Sequence, residues 1–127
     1  VFGRTLILLT WIQAFSFINV YGTAVGGGPL FAAEPIGDVS FMGNEHIAIF
    51  SSSEWAERGF CKQCGTHLFY RLKQEEHYAI PVGLLDGSDW DFTEQIFIDQ
   101  KPEFYTFAND TRMLTEEEVF AQHANKS

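Results

Sequence analysis

From residue 29 onward the chain alternates between short apolar runs and polar breaks. "PLFAAEP" comes first, then "DVSFMG" with Val39 and Phe41 on one face, then "HIAIFSSS" with Ile47 and Ile49 alternating. "THLFYRL", "HYAIPVGLL" and "EQIFIDQKPEFYTFA" complete the series. Turn signals separate the runs at Gly43-Asn44, Gly65, Asp86-Gly87-Ser88-Asp89 and Lys101-Pro102. Apolar runs this short, broken by Gly, Asn and Asp, predict a mainly β, antiparallel domain of short strands. One helix is expected near the C-terminus. Thr115-Glu116-Glu117-Glu118 reads as a capping box, in which the threonine hydroxyl and the last carboxylate satisfy free backbone N–H groups. The three carboxylates also suit the positive helix end. Val119, Phe120 and His123 would form its packing stripe. No repeat or linker interrupts the pattern, so residues 1–127 are expected to form a single domain.

The first quarter reads differently. Between Thr5 and Ala33 there is no charged residue, and Leu6-Ile7-Leu8-Leu9 followed by Trp11-Ile12 is strongly apolar. A signal peptide would use Arg4 as its charged end and Gly22-Thr23-Ala24 as its cleavage site. A membrane helix is the second reading, but Thr10, Gln13, Ser16 and Asn19 interrupt the run and Gly26-Gly27-Gly28-Pro29 ends it. Two buried strands, "TLILLTWI" and "AFSFINVYG", are the reading favoured by the alternation of Phe15, Phe17 and Asn19 against Ser16, Ile18 and Val20.

Composition narrows the function classes. Apolar residues make up 46% of the 127-residue chain and 13 residues are Phe, which a disordered chain would not carry. The net charge of −9 repels phosphate backbones and anionic headgroups, which argues against nucleic-acid partners and membrane adsorption. Its acids are spread thinly and read as solvated surface. The chain's two cysteines are too few for a disulfide scaffold, so a cytoplasmic, reducing location is expected.

Those cysteines, Cys61 and Cys64, form Cys-x-x-Cys-Gly, a metal-ligand spacing. In a strand–knuckle–strand geometry, Gly65 would take the positive-φ turn. A redox dithiol would want a helix after the first cysteine, and nothing helical follows Cys64. The third reading is two inert thiols. Among the histidines, His46, His67, His77 and His123 are candidate further ligands, each weak alone. His67 stands on a strand past the turn, with its side chain expected to point away from the knuckle. Arg58, Lys62 and Arg71 flank the knuckle and would attract a carboxylate, although solvated strand residues are the simpler reading. Trp55, Tyr70 and Trp90 line a pocket or, in so Phe-rich a chain, fill the core.

From Gly26 onward the sequence resembles the glutathione-dependent formaldehyde-activating (Gfa) family, which includes the centromere protein V domain. The resemblance is carried by Gly27-Gly28-Pro29, Ser52 or Ser53, and Arg58-x-Phe60-Cys61-x-x-Cys64-Gly65-Thr66. Pro81 to Asp86, Gln95 to Ile98, and Lys101-Pro102-Glu103-Phe104-Tyr105 extend it. It implies an antiparallel, tent-like β fold with two zinc sites and carbon–sulfur lyase chemistry on a formaldehyde–glutathione adduct. The structural zinc would draw Cys61 and Cys64 together with an early Cys-x-Cys. A catalytic zinc would sit on Cys-x-Cys-x-x-Cys just before the Gly-Gly-Pro strand, keeping one coordination position open.

The chain departs from that pattern. Counted back from Gly27, the catalytic cysteines would fall near Phe17, Asn19 and Gly22, and residues 1–25 contain no cysteine. A catalytic zinc and catalytic residues are therefore not expected, and any zinc would occupy a partial site at Cys61 and Cys64. Residues 1–25 read as a divergent apolar segment, the product of a truncated or frameshifted gene, joined to the family-like residues 26–127. Three functions follow: a Gfa-like protein without lyase activity; a residual glutathione-dependent lyase whose zinc is shared between Cys61/Cys64 pairs of a homodimer; and a membrane-attached or exported domain using residues 5–33. An apolar N-terminal edge would favour the homodimer.

Overall fold

The computed structural model describes residues 16–20, 29–34, 39–74, 77–86 and 90–124, with Ser16–Val20 and His123 as backbone. Their strands are β1 (Ser16–Val20), β2 (Leu30–Ala33), β3 (Ile47–Ser51), β4 (Ala56–Cys61), β5 (His67–Leu72), β6 (His77–Pro81), β7 (Asp91–Ile96) and β8 (Arg112–Leu114). One helix, α1 (Glu116–Ala124), follows. The expected mainly β fold with a single C-terminal helix is thus present. No helix among the described residues is long and apolar enough to cross a membrane.

The strands form one sheet in the order β3-β4-β5-β6-β2-β1-β7-β8. β3 to β6 are an antiparallel meander, as their short connections require. β2 joins it through Ala32↔Pro81 and Ala33↔Ile80. Both alanines are fully buried, so small side chains stand where the two halves of the sheet meet. Beyond β2 the chain order breaks. β1 pairs antiparallel with β2 but parallel with β7, and β7 pairs parallel with β8.

Two apolar clusters hold the sheet. The first gathers Cys61, Leu68, Phe69 and Ile80, with Val39, Phe41, Ile47, Tyr78, Leu84 and Leu85 packed around them. Phe69 lies with its ring centroid 5.0 Å from that of Phe41 and 5.2 Å from that of Tyr78. The second is a set of edge-to-face rings, Phe31, Phe92, Phe107 and Tyr105, with centroids 5.4 to 6.3 Å apart where they touch. Edge-to-face contacts place the positive ring edge on the negative face.

Several expectations change in the fold. Residues 39–43, the described part of "DVSFMG", form no strand; Val39 and Phe41 instead cap the first cluster from a loop. The long run from Glu94 is cut at Phe97, which takes a left-handed φ of 57° before a 3-10 turn over Ile98–Gln100. Lys101 then secures the loop, its Nζ donating to the carbonyls of Pro102 and Tyr105. "AFSFINVYG" does contribute β1, whereas "TLILLTWI" lies outside the described residues. The capping box forms as drawn. Thr115 Oγ1 accepts from the Glu118 N–H at 3.2 Å, and Glu118 Oε1 accepts from the Thr115 N–H at 3.2 Å. Val119 is buried, while Phe120 is half-exposed and lies edge-on to the ring of Phe97.

Candidate functional site

The Cys61–Thr66 turn is built from local hydrogen bonds. Gly65 N–H donates to the Cys61 carbonyl at 2.8 Å, and Cys61 N–H donates to the Thr66 carbonyl at 2.9 Å. The path closes because Gly65 adopts a φ of 77°, a left-handed conformation that costs a residue without a Cβ little. Lys62 N–H donates to the His46 carbonyl at 2.8 Å, tying the turn to the start of β3.

The two thiols end in different surroundings. Cys61 is 1% exposed within the first cluster, whereas Cys64 is exposed at the tip, its Sγ 3.0 Å from the Thr66 hydroxyl. They are not joined by a disulfide. Among the described residues, no three His, Cys, Asp or Glu side chains converge as a metal-ligand group. His46 stands beside Glu45 and His77 beside Glu34, each at 3.5 Å, and neither is gathered with the cysteines. Cys61 and Cys64 are two of the four ligands that a structural zinc takes.

The bulge in β5 decides where the remaining polar residues go. Gly59 pairs with Phe69 and Phe60 pairs with His67, so Leu68 is the extra residue. Leu68 and Phe69 both reach the core, and the strand's alternation is reversed beyond them. His67 consequently shares the face of Phe60, Arg58 and Tyr70, opposite Cys61. Without the bulge it would follow Phe69 toward the thiol. The side chain thus points away from the knuckle, as the sequence suggested, and is removed from the candidate metal ligands of the Cys61 face.

On that second face the structure overturns the reading of Arg58 as a solvated strand residue. Arg58 is 7% exposed, with its guanidinium carbon 5.2 Å from the Tyr70 ring centroid. Its Nε is buried without a hydrogen-bond partner, as is Nε2 of His67. No carboxylate among the described residues pairs with it. Arg71, by contrast, is paired with Glu57 and lies over Tyr78. Burial pushes the Arg58 pKa down, with the nearby Tyr70 opposing. Burial also lowers that of His67, helped by the positive charge of Arg58. Both effects favour the neutral imidazole. Tyr70 is pushed up by burial, against Arg58 and a side-chain hydrogen bond with Trp55.

Aromatic residues surround this polar center. Phe50 pairs directly with Arg58 across β3 and β4, and it, Trp55 and Phe60 are 54%, 57% and 37% exposed. Trp55 is thus not a core residue. Sequence reasoning found Arg58, Tyr70, Trp55 and the direction of His67 separately but did not bring them together, because only the pairing of β4 with β5 sets these side chains on one face.

A curated protein of Schizosaccharomyces pombe, named as an uncharacterized lyase, is 42% identical to this chain over 78 residues. The match covers 60% of this chain, and the chain spans about 57% of that relative's length. No protein-family model matches the chain, and no solved structure matches it.

Proposed function

We propose that this chain is a Gfa-like binding module that does not by itself carry out carbon–sulfur lyase chemistry. Its likeness to a protein named as a lyase supports kinship with such enzymes. The observation that carries the loss of activity is β1. Where the resemblance calls for thiolates, this strand has Phe17 and Asn19, paired with Ala33 and Phe31 in the middle of the sheet. An open catalytic zinc center takes three protein ligands, and the chain's two cysteines both lie in the Cys61–Cys64 turn. Its glutathione-type ligand and cytoplasmic location belong to the same proposal, the latter supported by the scarcity of cysteine.

The alternative, a zinc shared between Cys61/Cys64 pairs of two chains, requires Cys61 to leave the core, and its 1% exposure weighs against that. Even then, four thiolates make a closed, structural site.

The test supplies the purified chain with zinc, glutathione and formaldehyde and follows S-hydroxymethylglutathione by NMR. The expected rate equals the spontaneous one. A saturable acceleration proportional to protein concentration overturns the proposal. Metal content measured with molar mass separates the alternative, which requires about one zinc per dimer.

A further inference from the structure

Arg58 poses a physical problem that the sheet itself does not solve. A guanidinium remains protonated at every ordinary pH, so burial cannot neutralise it as it would a lysine. A buried charge is normally paired or fully hydrogen-bonded. Here the guanidinium carbon lies 5.2 Å from the Tyr70 ring centroid, and the charge of Arg58 acts on His67, which burial favours in its neutral form. A cation–π contact offsets part of the desolvation but satisfies no N–H donor. Two buried nitrogens on one face, Arg58 Nε and His67 Nε2, are left without partners.

We propose that Arg58, His67 and Tyr70 anchor a binding site for a small monocarboxylate with an aromatic body, bordered by Phe50, Trp55 and Phe60 on the face of β4 and β5 opposite Cys61. A carboxylate is planar and accepts bidentate hydrogen bonds from a guanidinium. In the tautomer that carries its proton on Nε2, His67 adds a donor, and the Tyr70 hydroxyl adds another. A monoanion matches the single positive charge. A phosphate dianion would leave a net negative charge in a half-buried site of a chain whose net charge is already −9. The exposed aromatic border explains the body of the ligand: ring surface stacks on Trp55, Phe50 or Phe60 and shields the ion pair from water. The site concerns binding only, so it stands or falls separately from the absence of lyase turnover.

Phenylacetate is the probe, with phenylacetamide as its neutral counterpart and inorganic phosphate as the competing anion. Each is titrated into the 127-residue chain while the Arg58 Nε–Hε and Trp55 indole N–H signals are followed by two-dimensional NMR. Phenylacetate is expected to shift both signals saturably, with a Kd on the order of 1 mM, as a ligand of this size permits. Neither phenylacetamide nor phosphate should do so. Replacing Arg58→Gln should weaken phenylacetate binding roughly tenfold to a hundredfold, read at Trp55, as loss of a charge-assisted hydrogen-bond pair requires. Should that variant fail to fold, the acid–amide comparison on the unaltered chain decides alone. Absence of a saturable shift up to about 10 mM phenylacetate, equal shifts from acid and amide, or a response to phosphate but not phenylacetate would each overturn the proposal.

Discussion

Gly59→Ala is expected to destabilise this protein, although Gly-to-Ala changes in strands are often neutral or favourable. Gly59 lies in β4 directly opposite Phe69. A Cβ built there would meet Cε1, Cζ and Cε2 of the Phe69 ring, the first at 2.6 Å and the other two closer. The ring would have to retreat by roughly 1.5–2 Å to restore ordinary van der Waals contact at about 3.5–4.0 Å. It has little room. Phe69 is 4% exposed and lies between Phe41 and Tyr78. Overpacking of this kind costs about 1–3 kcal/mol. Reduced freedom of the unfolded chain returns roughly 0.4–1 kcal/mol. The net loss is about 1–2 kcal/mol. With a urea m-value of about 2 kcal/mol/M, the midpoint should fall by roughly 0.5–1 M. Urea titration followed by tryptophan fluorescence measures it. A second change, Phe69→Leu, should cost less in the Gly59→Ala background than alone, because the smaller side chain vacates the clash. A midpoint for Gly59→Ala equal to or above that of the unaltered chain would refute the packing argument.

Two further outcomes test the neighborhood of the turn. One equivalent of thiol should react rapidly with a disulfide reagent in native buffer, from exposed Cys64, with Cys61 following only on unfolding; two equally fast thiols would contradict the burial of Cys61. His67 should make stability fall with acidity. Burial, and then the charge of Arg58, hold its folded-state pKa below the ordinary value, so the unfolded chain takes up the proton first as pH drops below about 6.5. The associated stability is fully present above that pH and is lost on going down toward the folded-state pKa. His67→Gln should therefore show a smaller decline in urea midpoint between pH 7.5 and 5.5; an identical decline would mean that the imidazole titrates alike in both states.

Features set by neighboring residues were legible in the chain itself. Thr115 and Glu118 are one turn apart, so their reciprocal capping hydrogen bonds need no distant partner. The same holds for Gly65, whose positive φ closes a turn of local hydrogen bonds. The meander β3 to β6 was visible because apolar alternation and short turns specify antiparallel neighbors. Where the periodicity misled, a long-range contact had displaced it. Val39 and Phe41 alternate as a strand does, yet they pack against the first cluster and serve the core from a loop.

By itself the sequence determined the mainly β character of the chain, its single capped helix and the cysteine-bearing turn, because each rests on contacts between residues close along the chain. Only the tertiary structure decided the parallel partnership of β1 with β7, whose strands are separated by most of the chain. It also decided the site on β4 and β5. The bulge at Leu68 is a mismatch between two strands and has no signature within either one. That one unpaired residue moves His67 from the face of the thiol to the face of Arg58, and the packing around it buries a guanidinium that the sequence would leave in water.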